Sequence, residues 1–221
     1  MTVFHPKAGD LPAEFPVFPL EGALLLPRGR LPLNIFEPRY LAMTEDALGA
    51  GRMLGMVQPD ATAPPTSHGP GLFRIGCLGR LASFSETDDG RFLITLAGVI
   101  RFQIMRELEP RRGYRRVAGD YGRFLDDLSL DPRPIGVERE ALIAALRGYF
   151  TRRNLEANWD AIRRIPDDML VVTLAMICPF EPVEKQALLE APTQAERGAA
   201  LLVLLQMGMA APDDLAGHSV S

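Results

Sequence analysis

Leu81-Ala82-Ser83-Phe84-Ser85-Glu86-Thr87-Asp88-Asp89-Gly90-Arg91-Phe92-Leu93-Ile94-Thr95-Leu96-Ala97-Gly98-Val99-Ile100-Arg101-Phe102 has the pattern of a β-hairpin that runs on into a bent strand. Two runs of β-type residues flank Asp88-Asp89-Gly90. Asp-Gly between such runs is a strong hairpin signal, because glycine adopts the positive φ that a tight turn requires. After Gly98 the alternation resumes, with Val99, Arg101 and Gln103 set against Ile100, Phe102 and Ile104. A glycine within a strand marks a bulge or sharp bend, a device that curls a sheet into a barrel.

The same reading extends upstream. Phe15-Pro16-Val17-Phe18-Pro19-Leu20 is an extended segment whose prolines suit an edge or a strand start. Residues 31–36 form a second candidate strand. Glu37-Pro38 opens a helix with proline at its first position, and Gly49 and Gly51 close it after Leu48. Residues 52–58 read as a strand, 59–71 as a Pro- and Gly-containing surface loop, and 114–121 as a last strand. At Asp131-Pro132-Arg133-Pro134 the period changes from two to three or four. Val137, Ala141, Leu142, Ala145, Leu146, Tyr149 and Phe150 share one helix face. Asp167-Asp168 starts an apolar helix, Pro182 another, and Thr193 with Glu196 has capping-box spacing before a final one reaching about Met207. The expected architecture is α+β: a β-barrel-like unit with one inserted helix, followed by a helical bundle.

Composition narrows the function. The 221 residues carry 24 Lys plus Arg against 28 Asp plus Glu, a net charge of −4, which argues against a dedicated nucleic-acid binder. Cys77 and Cys178 are far apart and lie in apolar surroundings, so they read as reduced core residues. The first fifteen residues hold no signal-peptide apolar run, and 199–205 is too short to span a bilayer, which points to the cytoplasm and no membrane.

Three segments are similar to the amino-terminal domain of Lon proteases. The first combines Phe15-Pro16-Val17-Phe18-Pro19-Leu20 and Leu26-Pro27 with Leu31-Pro32-Leu33-Asn34-Ile35-Phe36-Glu37-Pro38-Arg39-Tyr40. The second is Gly76-Cys77-Leu78-Gly79-Arg80-Leu81, and the third Leu93-Ile94-Thr95-Leu96-Ala97-Gly98-Val99-Ile100-Arg101-Phe102. The run from Phe180 to Glu190 also resembles small stand-alone bacterial members of that family. The resemblance implies a PUA-like β pseudo-barrel over 1–130 and a helical bundle over 131–221 packed on it. It also implies a role in holding polypeptide substrates. The family's ATPase and Ser–Lys peptidase parts have no counterpart here, since no Gly-x-x-x-x-Gly-Lys-Ser/Thr loop is present.

Catalytic, cofactor and metal residues are therefore expected to be none. His5, His68 and His218 share no metal-ligand spacing with a cysteine or carboxylate. Lys7 and Lys185 are the two lysines, and Lys185, between Glu184 and Gln186, reads as solvated. Glu37, Arg39 and Arg101 read either as a charged site or as a paired structural network tying the helix start to the barrel. Leu24, Leu25, Leu26, Arg39 and Tyr40 are candidate partner-binding residues, with core packing as the alternative for the leucines. The expected partner is an unfolded polypeptide or a partner protein, in an adaptor or regulatory role in protein quality control. The alternatives are a small-molecule pocket between barrel and bundle, or RNA bound through Arg111-Arg112-Gly113-Tyr114-Arg115-Arg116.

Overall fold

The hairpin is the centre of a six-stranded sheet. In the computed structural model, which describes residues 6–210, the strands are β1 (Glu14–Pro19), β2 (Arg30–Ile35), β3 (Met53–Val57), β4 (Ile75–Glu86), β5 (Phe92–Arg111) and β6 (Tyr114–Asp120). His5, His218 and the tail after Pro212 lie outside the described residues. The helices are α1 (Pro38–Gly49), α2 (Arg139–Arg152), α3 (Trp159–Arg164), α4 (Asp167–Ile177), α5 (Pro182–Glu190) and α6 (Gln194–Ala210). The expected mixed α+β class, with one helix inserted between strands and helices after them, is what the chain adopts.

Strand order is β2-β5-β4-β3-β1-β6, and β5 also pairs with β6. The long β5 makes this possible. Its first third pairs with β2 through Ile35↔Phe92 to Arg30↔Ala97, and its last third with β6 through Gln103↔Asp120 to Arg111↔Tyr114. Five strands therefore close into a ring, and β2 continues the sheet outside it. Gly98 lies at the changeover. A Cβ there would overlap the Leu26 carbonyl oxygen, and the register of β4 against β5 shifts between Leu78 and Gly79. The bulge expected from Gly98 is thus where the sheet bends, and the 24–27 segment crosses close beneath it.

The chain divides into two compact units. One runs up to Pro132 and includes Val172–Glu190; the other is Arg133–Val171 with the chain from Ala191 onward. A division after residue 130 assigns 172–190 to the helical part, whereas their contacts group them with the sheet. Hydrogen bonds explain this. Gln58 Nε2 donates to Pro182 O (3.0 Å) and Gln186 Oε1 (3.2 Å), Gln186 Nε2 donates to Ile75 O (3.1 Å), and Arg101 Nη1 donates to Leu189 O (3.1 Å). Lys185, read as solvated, is 8% exposed and donates from Nζ to Gly22 O at 2.6 Å. That reading failed because neighbours in sequence do not set helix-face exposure when a buried carbonyl is within reach of a long stem.

The core of the first unit is apolar: Phe15, Leu54, Leu78, Leu96, Ile100, Phe102 and Val117 are at most 1% exposed. Phe15 and Phe102 meet edge-to-face, with centroids 4.8 Å apart. In the second unit α2 packs against α6, with Leu142, Leu146, Tyr149, Leu201 and Leu205 buried. Thr193 caps α6 as its spacing predicts: Glu196 N donates to Thr193 Oγ1 (3.1 Å), and Thr193 N to Glu196 Oε2 (3.0 Å).

Burial pushes the Cys178 thiol up to about 12 from its ordinary 9.0, while burial pulls the Lys185 ammonium below its ordinary range. Between pH 9 and pH 12 the unfolded chain loses a thiol proton that the native chain keeps. The thiol's contribution to stability is therefore complete below pH 9 and declines as pH rises towards 12. Lys185 acts in the opposite sense, regaining stability as pH rises towards 10.5. In urea titrations at pH 8 and pH 10.5, the parent should lose about 2 kcal/mol more than Cys178→Ala does. Equal losses would contradict the burial account.

Candidate functional site

β2, the first third of β5 and the outer half of β4 project from the ring as a three-stranded arm. β4 pairs with β3 only through Met53↔Arg80 to Met56↔Cys77, and Leu81 N donates the last rung to Arg52 O (2.8 Å). Residues 83–86 pair with β5 alone, and Ala82 is the residue the register skips between Leu81 and Ser83. Among the described residues, no backbone or side chain bonds their outer edge. The opposite edge of the arm is β2, the terminal strand, where Pro32 removes one N–H donor.

The arm carries unusual apolar exposure. Phe84 is 42% exposed, Leu93 47% and Phe36, just past β2, 62%. Register places Phe84 opposite Ile94, and Leu93 opposite both Ser85 and Asn34, so Phe84 and Leu93 stand on different faces. On the Leu93 face, Leu93 and Thr95 floor an open depression of about 480 Å³ walled by Pro32, Asn34, Ser83 and Ser85. On the other face the Phe84 ring meets Phe92 edge-on at 4.9 Å.

The candidate residues read from the sequence are dispersed. Leu24, Leu25 and Leu26 are 2%, 1% and 0% exposed, so they are core and offer no docking surface. Leu25 lies against Gly79, whose missing side chain leaves its room. Tyr40 is also buried, its ring 4.2 Å from that of Phe18, while Arg39 is exposed and lies 4.5 Å from the Tyr40 ring. Glu37, Arg39 and Arg101 do not form one network. Glu37 and Arg39 pair with each other at the surface (2.8 Å). Arg101 is buried and binds Asp127 through Nε (2.8 Å) and Nη2 (3.0 Å), with the Phe124 ring 4.7 Å away. The structural half of the reading suits Arg101, but with Asp127 as its carboxylate.

The basic run 111–116 is neutralised where it stands. Arg111 pairs with Asp46, Arg112 with Glu45 and Asp46, Arg115 with Glu107, and Arg116 with Glu14. Tyr114 Oη donates to Asp46 Oδ2 (2.7 Å), a bond that leads the causes holding the Asp46 carboxyl below its usual range. Among the described residues, no group of three or more His, Cys, Asp or Glu is arranged to hold a metal. Also among them, no helix is long and apolar enough to cross a membrane.

The arm is not among the sites expected from the sequence. The signal was there: Phe92-Leu93-Ile94 puts large apolar side chains on both faces of one strand, so one face must either find a cover or remain open.

Residues 14–207 match the model of the ATP-dependent protease La (LON) substrate-binding domain. The chain belongs to that family. This LON-domain chain is 23% identical to Lon protease 2 of Thermus thermophilus over 207 residues, 90% of the chain and 25% of that protein. It is 30% identical to Lon protease 2 of Sorangium cellulosum over 138 residues, 60% of the chain and 16% of that protein. The match to the Lon protease of Anaeromyxobacter dehalogenans, 22% identical, also covers 60% of the chain and 16% of that protein. The chain thus spans a quarter or less of these relatives' length. Among solved structures, a Lon N-terminal domain protein from Xanthomonas campestris superposes with a TM-score of 0.57 at 21% identity, covering 86% of this chain and 97% of that one. The N-terminal domain of Mycobacterium avium complex Lon protease gives 0.56 at 16% identity, with 91% and 100% covered. At these identities the superpositions speak for the fold.

Proposed function

We propose that this chain is a non-catalytic polypeptide-binding module, acting as an adaptor or regulator in cytoplasmic protein quality control. The observation that carries the reading is the arm: in a domain of the LON substrate-binding family, it presents Phe84 and Leu93 to solvent on opposite faces beside an open strand edge. Unfolded polypeptides offer the two complements to such a surface, apolar side chains and unpaired backbone. The chemistry of the interior supports the non-catalytic part. Cys77 is buried, the Cys178 thiol is held protonated at neutral pH by burial, and Lys185 is engaged with Gly22 O. The pairing of the 111–116 arginines supports a polypeptide over an RNA partner.

The test uses fluorescein-labelled, reduced and carboxymethylated α-lactalbumin, which stays unfolded. The parent should bind it with a Kd on the order of 10 μM, about −7 kcal/mol. Phe84→Ser with Leu93→Ser should weaken binding about tenfold or more, since burying each side chain contributes ~1.5–3 kcal/mol. The melting temperature should stay within a few degrees of the parent's. Absence of binding, or binding indifferent to the double substitution, would overturn the reading.

A further inference from the structure

The lane beside residues 82–86 is open at its side and charged at both ends. Antiparallel β3 would fill it if that strand began earlier, but the chain arrives there from the end of α1 through two left-handed residues, Gly51 (φ 81°) and Arg52 (φ 63°). They turn it away after the Leu81–Arg52 rung. The vacant length is about 17 Å at ~3.4 Å per residue, enough for a strand of ordinary length. At the Arg52 end lies a depression of about 450 Å³ lined by Arg52, Arg80, Gly51, Met53 and Leu48, with Asp10 as its acidic side chain. The Asp10 carboxylate accepts a hydrogen bond from Lys7 N (2.9 Å). Arg52 makes no ion pair among the described residues. At the other end stand Glu86, the last residue of β4, and Asp88 on the turn that closes the hairpin, both exposed.

We propose that this lane binds the carboxyl-terminal ends of polypeptide chains by strand addition to β4, with the terminal carboxylate received between Arg52 and Arg80. The proposal rests on the polypeptide-binding reading and names the part of the polypeptide bound.

Polarity follows from the register. β3 runs antiparallel to β4, Met53 opposite Arg80 and Met56 opposite Cys77. A strand antiparallel to residues 82–86 therefore enters beside Glu86 and runs towards Met53, so its last residue reaches Arg52. Charge selects the same direction. A carboxylate meets two guanidiniums at the exit, and a basic residue or an α-amino group meets Glu86 and Asp88 at the entrance. The reversed strand would set a cation against Arg52. One face of the added strand comes alongside Phe84, which gives an apolar side chain near the terminus a partner. The backbone rungs are indifferent to sequence. An internal segment could add to the same edge, but it would have to continue past Arg52 without the carboxylate pair.

The experiment compares two fluorescein-labelled decapeptides of one sequence, with a basic amino-terminal half and Leu-Val-Leu at the end. One carries a free carboxylate and the other a carboxamide. The parent protein should bind the acid about tenfold more tightly than the amide, as expected for a charge-assisted hydrogen-bonded pair. Arg52→Ala, exposed and therefore not expected to affect folding, should bring the ratio close to one. Phe84→Pro, whose N–H faces the lane because Thr87 N, three residues on, donates across the hairpin to Arg91 O, should weaken both peptides at least tenfold, with its fold checked by circular dichroism; Glu86→Pro serves if that variant does not fold. Equal affinity of the parent for acid and amide, an unchanged ratio in Arg52→Ala, or no binding of either peptide would each overturn the proposal. If the decapeptides fail while unfolded α-lactalbumin still binds, polypeptide binding stands and carboxyl-terminal recognition falls. If neither binds, both fall.

Discussion

Arg101→Ala is expected to lower the unfolding free energy by about 3–5 kcal/mol, as removal of one partner from a buried ion pair does. The side chains of Arg101 and Asp127 are 4% and 3% exposed. Two guanidinium bonds and the Arg101 backbone N–H (3.1 Å to Asp127 Oδ2) converge on one carboxylate, and a further N–H holds Leu189 O at the end of α5. Truncation would leave the Asp127 charge in the interior without the cation that neutralises it, and would also remove a tie between α5 and β5. The double variant Arg101→Met with Asp127→Leu should recover much of the loss, because it buries no charge. Urea titration measures both. A loss below 1 kcal/mol for Arg101→Ala would mean that the pair is not the anchor its geometry describes. A large loss of unfolded α-lactalbumin binding at normal stability would return Arg101 to the functional reading.

Gly98→Ala should cost about 3 kcal/mol, at the upper end of overpacking effects. The added Cβ would meet the Leu26 carbonyl oxygen, a backbone atom that cannot rotate away. That backbone is fixed in turn by Arg28 N donating to Gly98 O (2.8 Å) and Gly98 N to Gly29 O (2.8 Å). Gly49→Ala provides the contrast. A Cβ at Gly49, at the end of α1, would meet nothing within 4 Å, and the substitution should be neutral or stabilising by up to about 1 kcal/mol. Similar midpoints for the two variants would refute the close approach of the 24–27 segment to the bend in β5.

Strands and helices were legible where a short-range rule governs them. The Asp-Gly turn, Pro38 at the start of α1 and the Thr193–Glu196 cap depend on residues a few positions apart, and each acts in the structure as its spacing implies. The start of β4 at Ile75 was harder to read. Gly76 and Gly79 weaken a strand pattern, yet both are required by close neighbours: a Cβ at Gly76 would lie 2.6 Å from Phe102 Cζ, and one at Gly79 2.7 Å from Leu25 Cδ2. α3 is too short to show a helical period, although Asn158 caps it by accepting from Ala161 N (3.0 Å).

The site was less legible than the fold. Leu24-Leu25-Leu26 had the composition of an exposed apolar loop, and Phe84 and Leu93 that of ordinary strand residues. Their exposures are the reverse, because burial depends on what crosses above a residue and not on the residue itself. Arg101 shares motifs with Glu37, but its carboxylate comes from Asp127, 26 residues away in sequence, within a short 3-10 turn without a distinctive pattern.

The class of this protein is written in its sequence: a β-rich first half closing through a glycine bend, helices after it, and membership of the LON substrate-binding family. Periodicity, turn chemistry and ordered motifs are local properties, and they survive without a partner segment. Long-range packing sets which apolar side chains stay in water, which carboxylate neutralises Arg101, that Lys185 and α5 belong with the sheet, and that the lane beside residues 82–86 stands open between Arg52 and Glu86. Each of these depends on segments far apart in the chain meeting or failing to meet, and no local pattern encodes such encounters.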